Sequence, residues 1–167
     1  MHDEKRAYTL QRDEGRHLWF LGSLMTIKAG AAETAGSMSL IEQVAPPGFG
    51  SPLHVHAGED EPMYILEGRF TFWVGERELP AEAGTFVFLP RDVPHCFRVE
   101  GDTPGRLLQL TLPAGLEEGF AEMGEPAPGP VLPPPVDGPP DPAFLARMEE
   151  VAVRYGVQLL GPPKGPA

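Results

Sequence analysis

GFGSPLHVHAGEDEPMYILEG, residues 48–68, is the stretch from which the rest of the chain can be read. His54 and His56 stand two apart in a short apolar run, so on a strand both side chains leave the same face with Cα atoms about 6.5–7 Å apart. At that spacing two imidazoles can converge on one ion at roughly 2.1 Å each. A loop containing Gly58 follows, and Glu61 then opens a strand that returns antiparallel to the first. Three acids, Glu59, Asp60 and Glu61, compete for a carboxylate role. Glu61 shares a face with Met63 and Ile65, whereas Glu59 and Asp60 belong to the loop, so strand parity selects Glu61. His95, 34 residues beyond Glu61, heads a further strand and can supply a fourth ligand from across a barrel. His54, His56, Glu61 and His95 suit one divalent transition ion, Fe, Mn, Ni, Co, Cu or Zn, because imidazole and carboxylate select weakly among them.

Around this segment the chain alternates short apolar runs with Gly, Pro and Asp. The runs are 18–27, 37–44, 53–56, 62–67, 69–75, 85–89, 94–99 and 105–112. Eight short strands at close spacing predict an all-β barrel or sandwich, with FTFWV (70–74) and TFVFL (85–89) as its plainest strands. No helix of useful length fits within 18–112. Met63, Phe97 and Val99 share the ligands' face by parity and are candidates to wall an apolar substrate pocket, or simply to fill the core. Trp73 faces opposite to Phe70, Phe72 and Val74, and Cys96 points away from the interior. His2 and His17 are expected in solvent.

The flanks differ in character. Residues 1–17 form a polar N-terminal tail, and 18–124 carry the barrel, ending in a short helix over 113–124 with Leu116, Phe120 and Met123 on one side. A Pro-rich connector spans 125–142. The final unit, 143–167, is a helix and tail. Asp141 is its N-cap, Pro142 its first residue and Gly156 its stop, with Phe144, Leu145, Met148, Val151, Ala152 and Tyr155 on the apolar side. That side packs on the barrel or on a second subunit.

Composition narrows the function. With 20 Gly and 21 Pro in 167 residues and 8% aromatic residues, a helical bundle is excluded. A net charge of −11 argues against nucleic acid and against an anionic membrane surface as partners. Leu18 to Met25 is too short to span a bilayer and lacks the layout of a secretory signal. The single cysteine, Cys96, allows no internal disulfide and fits a reducing compartment, so a cytoplasmic location is expected.

Gly48, His54, His56, Glu61 and Gly68 resemble the first motif of the cupin superfamily, G-x5-H-x-H-x3,4-E-x6-G, whose last gap also selects Glu61. GTFVFLPRDVPHCFRV, residues 84–99, is similar to the second, G-x5-P-x-G-x2-H-x3-N: Gly84, Pro90 and His95 fit, while Asp92 replaces the Gly and Val99 the Asn. Asp tolerates left-handed backbone, and neither departure touches a candidate ligand. The resemblance implies a double-stranded β-helix, the jelly-roll barrel, with a metal ion near one open end, to which the helix read after Asp141 is a short C-terminal extension; it also implies a homodimer. The texture is similar to small single-domain cupins of the quercetin 2,3-dioxygenase kind. By that resemblance the function is dioxygenation of an enolisable or phenolic small molecule, with dioxygen as co-substrate and Glu61 as catalytic proton acceptor. An apolar pocket would raise the Glu61 pKa for that task. A metal-dependent isomerase and a non-catalytic small-molecule-binding cupin are the alternatives.

Overall fold

The computed structural model describes residues 7–135, 138 and 140–165; His2 lies outside them. In chain order the elements are β1 (Arg16–Phe20), β2 (Ser23–Ala29), α1 (Ala31–Thr34), β3 (Ser39–Ala45), β4 (Leu53–His56), β5 (Glu61–Glu67), β6 (Arg69–Val74), β7 (Arg77–Glu82), β8 (Phe86–Leu89), β9 (His95–Glu100), β10 (Gly105–Thr111), α2 (Leu116–Met123), β11 (Glu125–Pro126), α3 (Pro142–Arg154) and β12 (Val157–Gly161). They form two antiparallel sheets, ordered β11-β1-β2-β3-β10-β5-β8 and β12-β4-β9-β6-β7.

The inward faces of both sheets enclose a core in which Ile65, Phe70, Phe72, Leu89, Val99 and Leu107 are almost fully buried. Phe70, Phe72 and Phe97 pack with ring centroids 5.6–6.0 Å apart. Alternation along β6 puts Phe70 and Phe72 inside, and Trp73 outside, where its Nε1 donates to Glu78. Phe72 has no exposed surface, so Phe72→Ala is expected to cost about 3–5 kcal/mol, measured as a lowered midpoint in urea unfolding.

Local backbone rules explain the turns. Gly68 has φ 84°, and a Cβ there would sit 2.9 Å from Gly105 Cα, so the tight β5–β6 turn admits no side chain. Asp92, standing where the motif has glycine, takes the left-handed conformation at φ 63°. At α3, Asp141 accepts a hydrogen bond from Ala143 N at 2.9 Å, with Pro142 behind it.

Several elements differ from the expected pattern. The run 18–27 is a hairpin, because Leu21 and Gly22 both have positive φ, as a two-residue turn between twisted strands requires. β7, RELPAE, was not expected; it carries charges and Pro80 and is tolerated because it pairs with β6 only, at the sheet edge. In the connector, β11 pairs with β1. His17 is half-buried rather than solvated, with Nδ1 3.0 Å from Thr26 Oγ1. Residues 11–14 are anchored by Lys28 Nζ, which donates to the carbonyls of Gln11, Arg12 and Glu14.

The largest addition is at the C-terminal end. β12 pairs antiparallel with β4 through Val157↔His56, Gln158↔Val55, Leu159↔His54 and Gly161↔Leu53. β4 has one register pair on its other side, His54↔His95 of β9. The apolar side of α3 is narrower than expected: Met148 and Val151 are buried, whereas Leu145 is 40% exposed. Pro163 and Gly165 lie against Gly50 and Trp73. Cys96 points away from the core yet is fully buried, and burial pushes its thiol pKa up despite a backbone hydrogen bond from Lys164.

Candidate metal centre

β4 projects His54 and His56, β5 begins with Glu61 and β9 begins with His95. The structure brings all four together: one ligand atom from each lies within 4.8 Å of the others. The imidazole centroids are 4.5–5.3 Å apart. Glu61 Oε2 lies 3.1 Å from His95 Nε2 and 3.7 Å from His56 Nε2.

Two of the three rings are aimed by their second nitrogen. His54 Nδ1 sits 2.7 Å from the Pro52 carbonyl and His95 Nδ1 2.9 Å from the Val93 carbonyl, so both Nδ1–H groups donate outward and both Nε2 atoms face the cluster. His56 differs. Its Nδ1 and Nε2 are both buried without a hydrogen-bond partner, and the nearest acceptor for Nδ1 is Glu59 Oε2 at 3.7 Å, itself unpartnered. A sealed imidazole with a free Nε2, beside a buried carboxylate and two pre-oriented rings, is the donor set a divalent transition ion takes, three nitrogens and one oxygen. The residues fit the ion.

Electrostatics agree. Burial would raise the Glu61 pKa, but His56, the hydrogen bond with His95 and the remaining imidazoles outweigh it and bring it to about 2. This corrects the expectation of a raised value: the pocket is apolar, but the nearest neighbours are not. His54 is lowered to about 4, by burial and then by the His95 imidazole, so its lone pair is available at neutral pH. Burial alone would lower His56, yet Glu61 and Glu59 raise it. Asp60 turns away, brought to about 2 by its hydrogen bonds with Arg91. The loop assignment of Glu59 and Asp60 therefore separates a carboxylate near His56 from one that latches the loop before β9.

One neighbour was missed in the sequence. Gln109 Nε2 donates to Glu61 Oε1 at 2.5 Å, holding one carboxylate oxygen and leaving Oε2 toward the imidazoles. A polar residue at an inward position of LLQLT was the available signal.

The cluster opens onto a cavity of about 110 Å³. Met63 and Phe97 stand in its wall, while Val99 lies in the core at 1% exposure and is not among the lining residues. Leu116, Phe120 and Met123 of α2, Met148 and Val151 of α3 and Tyr155 just after it also line it. The apolar side of α3 thus packs across the barrel mouth.

Residues 41–111 match the family model of the cupin domain. The chain carries a cupin domain. Quercetin 2,3-dioxygenase of Bacillus subtilis is 27% identical over 126 residues, which is 75% of this chain and 37% of that one; the chain therefore spans well under half of that relative's length. Among solved structures, a predicted oxalate decarboxylase from Thermotoga maritima superposes with a TM-score of 0.55 at 22% identity, covering 61% of this cupin and 94% of that chain. A sugar phosphate isomerase from Silicibacter pomeroyi gives 0.51 at 19%, covering 60% and 71%. At such identities these two share the fold, and the cupin barrel alone does not choose among their chemistries.

Proposed function

We propose that this cupin is a metal-dependent dioxygenase acting on a neutral enolisable or phenolic small molecule. The observation that carries the reading is the cavity wall: beside the histidine–glutamate cluster it is almost entirely apolar, and no Lys or Arg is among its lining residues. A small dicarboxylate or a sugar phosphate would gain from a cationic side chain beside the ion to hold its anionic group, and no Lys or Arg in this wall offers one.

A divalent transition ion held by His54, His56, His95 and Glu61 would supply Lewis acidity and a redox route to dioxygen. The chain's own residues do the rest. Glu61, ionised well below neutral pH, accepts the proton of the substrate hydroxyl at Oε2, the oxygen that Gln109 leaves free. Its low pKa makes it a weak base, so it serves a hydroxyl already acidified at the site. Met63, Phe97, Phe120 and Val151 pack the ring and exclude water from the electron-rich substrate. Dioxygen is the oxidant, and both of its atoms enter the product.

We place the protein in the cytoplasm. Support comes from one free cysteine and from the absence, among the described residues, of any helix long and apolar enough to cross a membrane. We further propose a homodimer, supported by Tyr64, Phe86 and Phe88, which are 42%, 62% and 50% exposed on neighbouring strands at the β8 edge of the larger sheet.

Dioxygen uptake by the protein as purified, measured with a panel of phenols and enolisable ketones, tests the dioxygenase reading. Uptake above background is expected for at least one neutral member and is expected to vanish in Glu61→Ala. Stoichiometric redox metal without uptake across the panel would overturn the dioxygenase reading.

A further inference from the structure

Two buried amides interrupt the apolar cavity wall. Gln43 on β3 and Gln109 on β10 are each 3% exposed and both line the cavity. They share the inward face: Gln43 is opposite Leu107 and Gln109 opposite Ile41, so the two glutamines are diagonal neighbours, about 7–8 Å apart at the backbone.

Chemistry fixes how each amide is turned. Ser23 Oγ donates its only hydrogen to the Phe20 carbonyl at 2.9 Å, so toward Gln43 it can only accept, and the Gln43 group 2.9 Å from it must be the NH₂. Gln109 Nε2 lies 2.5 Å from Glu61 Oε1 and donates to it, so the Gln109 group facing the carboxylate is also the NH₂. Both carbonyl oxygens therefore point elsewhere. No donor among the described residues reaches Oε1 of Gln43 or of Gln109, and neither oxygen is among the sealed unpartnered atoms, which leaves both open to the cavity. Of the other uncharged polar side chains in the wall, Ser51 and Tyr155, Ser51 accepts from Phe97 N.

We infer that Oε1 of Gln43 and Oε1 of Gln109 form a hydroxyl-binding subsite, which makes the preferred ligand a neutral ring carrying a second hydrogen-bond donor besides the hydroxyl presented to Glu61. This rests on the proposed use of the cavity as the substrate pocket and narrows the substrate class within it. A buried carbonyl left without a donor carries a desolvation cost, and a ligand hydroxyl removes it. Size narrows the class further. About 110 Å³ is less than the roughly 150 Å³ of an engineered apolar cavity that takes one benzene, so with α2 and α3 in place nothing larger than a single ring is admitted.

The test is calorimetric and anaerobic, so that binding is read apart from turnover. Phenol, resorcinol, hydroquinone and benzoate are titrated into the protein as purified under argon. One of the dihydroxybenzenes is expected to bind roughly tenfold tighter than phenol, the effect of one good hydrogen bond, and benzoate more weakly than phenol. In Gln43→Met the advantage of the dihydroxybenzene over phenol, both titrated into the same variant, should fall several-fold. Equal affinities for phenol and both dihydroxybenzenes in the wild-type protein overturn the subsite, whatever the variant does; so does an advantage that Gln43→Met leaves unchanged. Hydroxyl discrimination without dioxygen uptake would sink the dioxygenase reading alone, and uptake without discrimination would sink the subsite alone.

Discussion

His95→Ala is expected to strip the protein of bound metal while leaving a cooperatively folding barrel. His95 is 1% exposed, its Nδ1 is held by the Val93 carbonyl and its Nε2 meets Glu61 Oε2 at 3.1 Å. Alanine removes one of four converging groups and takes away a hydrogen bond that stabilises the buried carboxylate. Loss of residues that merely orient a ligand costs about 10–100-fold in metal affinity, and loss of a ligand should exceed that. The apolar strands carry the fold, so the stability penalty is confined to the disturbed carboxylate, about 1–3 kcal/mol. Competition against a chromogenic chelator, read beside a thermal melt, checks both parts. A variant that holds metal with wild-type affinity would remove His95 from the ligand set.

The second large effect needs no change at any ligand. Ending the chain after Pro140 removes α3 and β12, and is expected to weaken metal binding by at least the same 10–100-fold and to expose the cavity to dye. β4 carries two of the four converging side chains, yet pairs with β9 at one position and with β12 at four. Without β12 its backbone groups face solvent along that edge, and His54 and His56 lose the register that aims them. Met148, Val151 and Val157, all buried, no longer cover the mouth. Val157→Asp, which puts a charge into the cavity roof, is the milder version should the shortened chain aggregate. Unchanged chelator competition in both would show that β4 stands without its terminal partner.

Where the chain obeys local rules it was legible. The i, i+2 histidines, the gap that selects Glu61, the left-handed Asp92 and the Asp141 cap each follow from a few neighbouring residues, and the structure has that geometry. The double-sheet barrel followed from the density of short strands. What escaped depends on distance. VQLLG (157–161) follows directly on a helix stop and has one β-branched residue to mark it as a strand, and its partner lies about a hundred residues earlier. RELPAE (77–82) has none of the β-branched or aromatic residues that mark strands and is one only because β6 offers a free edge. Val99, inward by parity, sits too deep to reach the cavity wall. The acidity of Glu61 was misjudged because the apolar pocket was weighed and the three imidazoles around the carboxylate were not.

The pairing of β4 with β12 also bears on the order of events in folding. A contact closed across so long a loop forms late, because its entropy must be lost before any pairing repays it. The rest of the barrel can then collapse around its phenylalanines as a shell with two unsupported histidines. An ion that needs all four groups would then be captured only once β12 has joined β4.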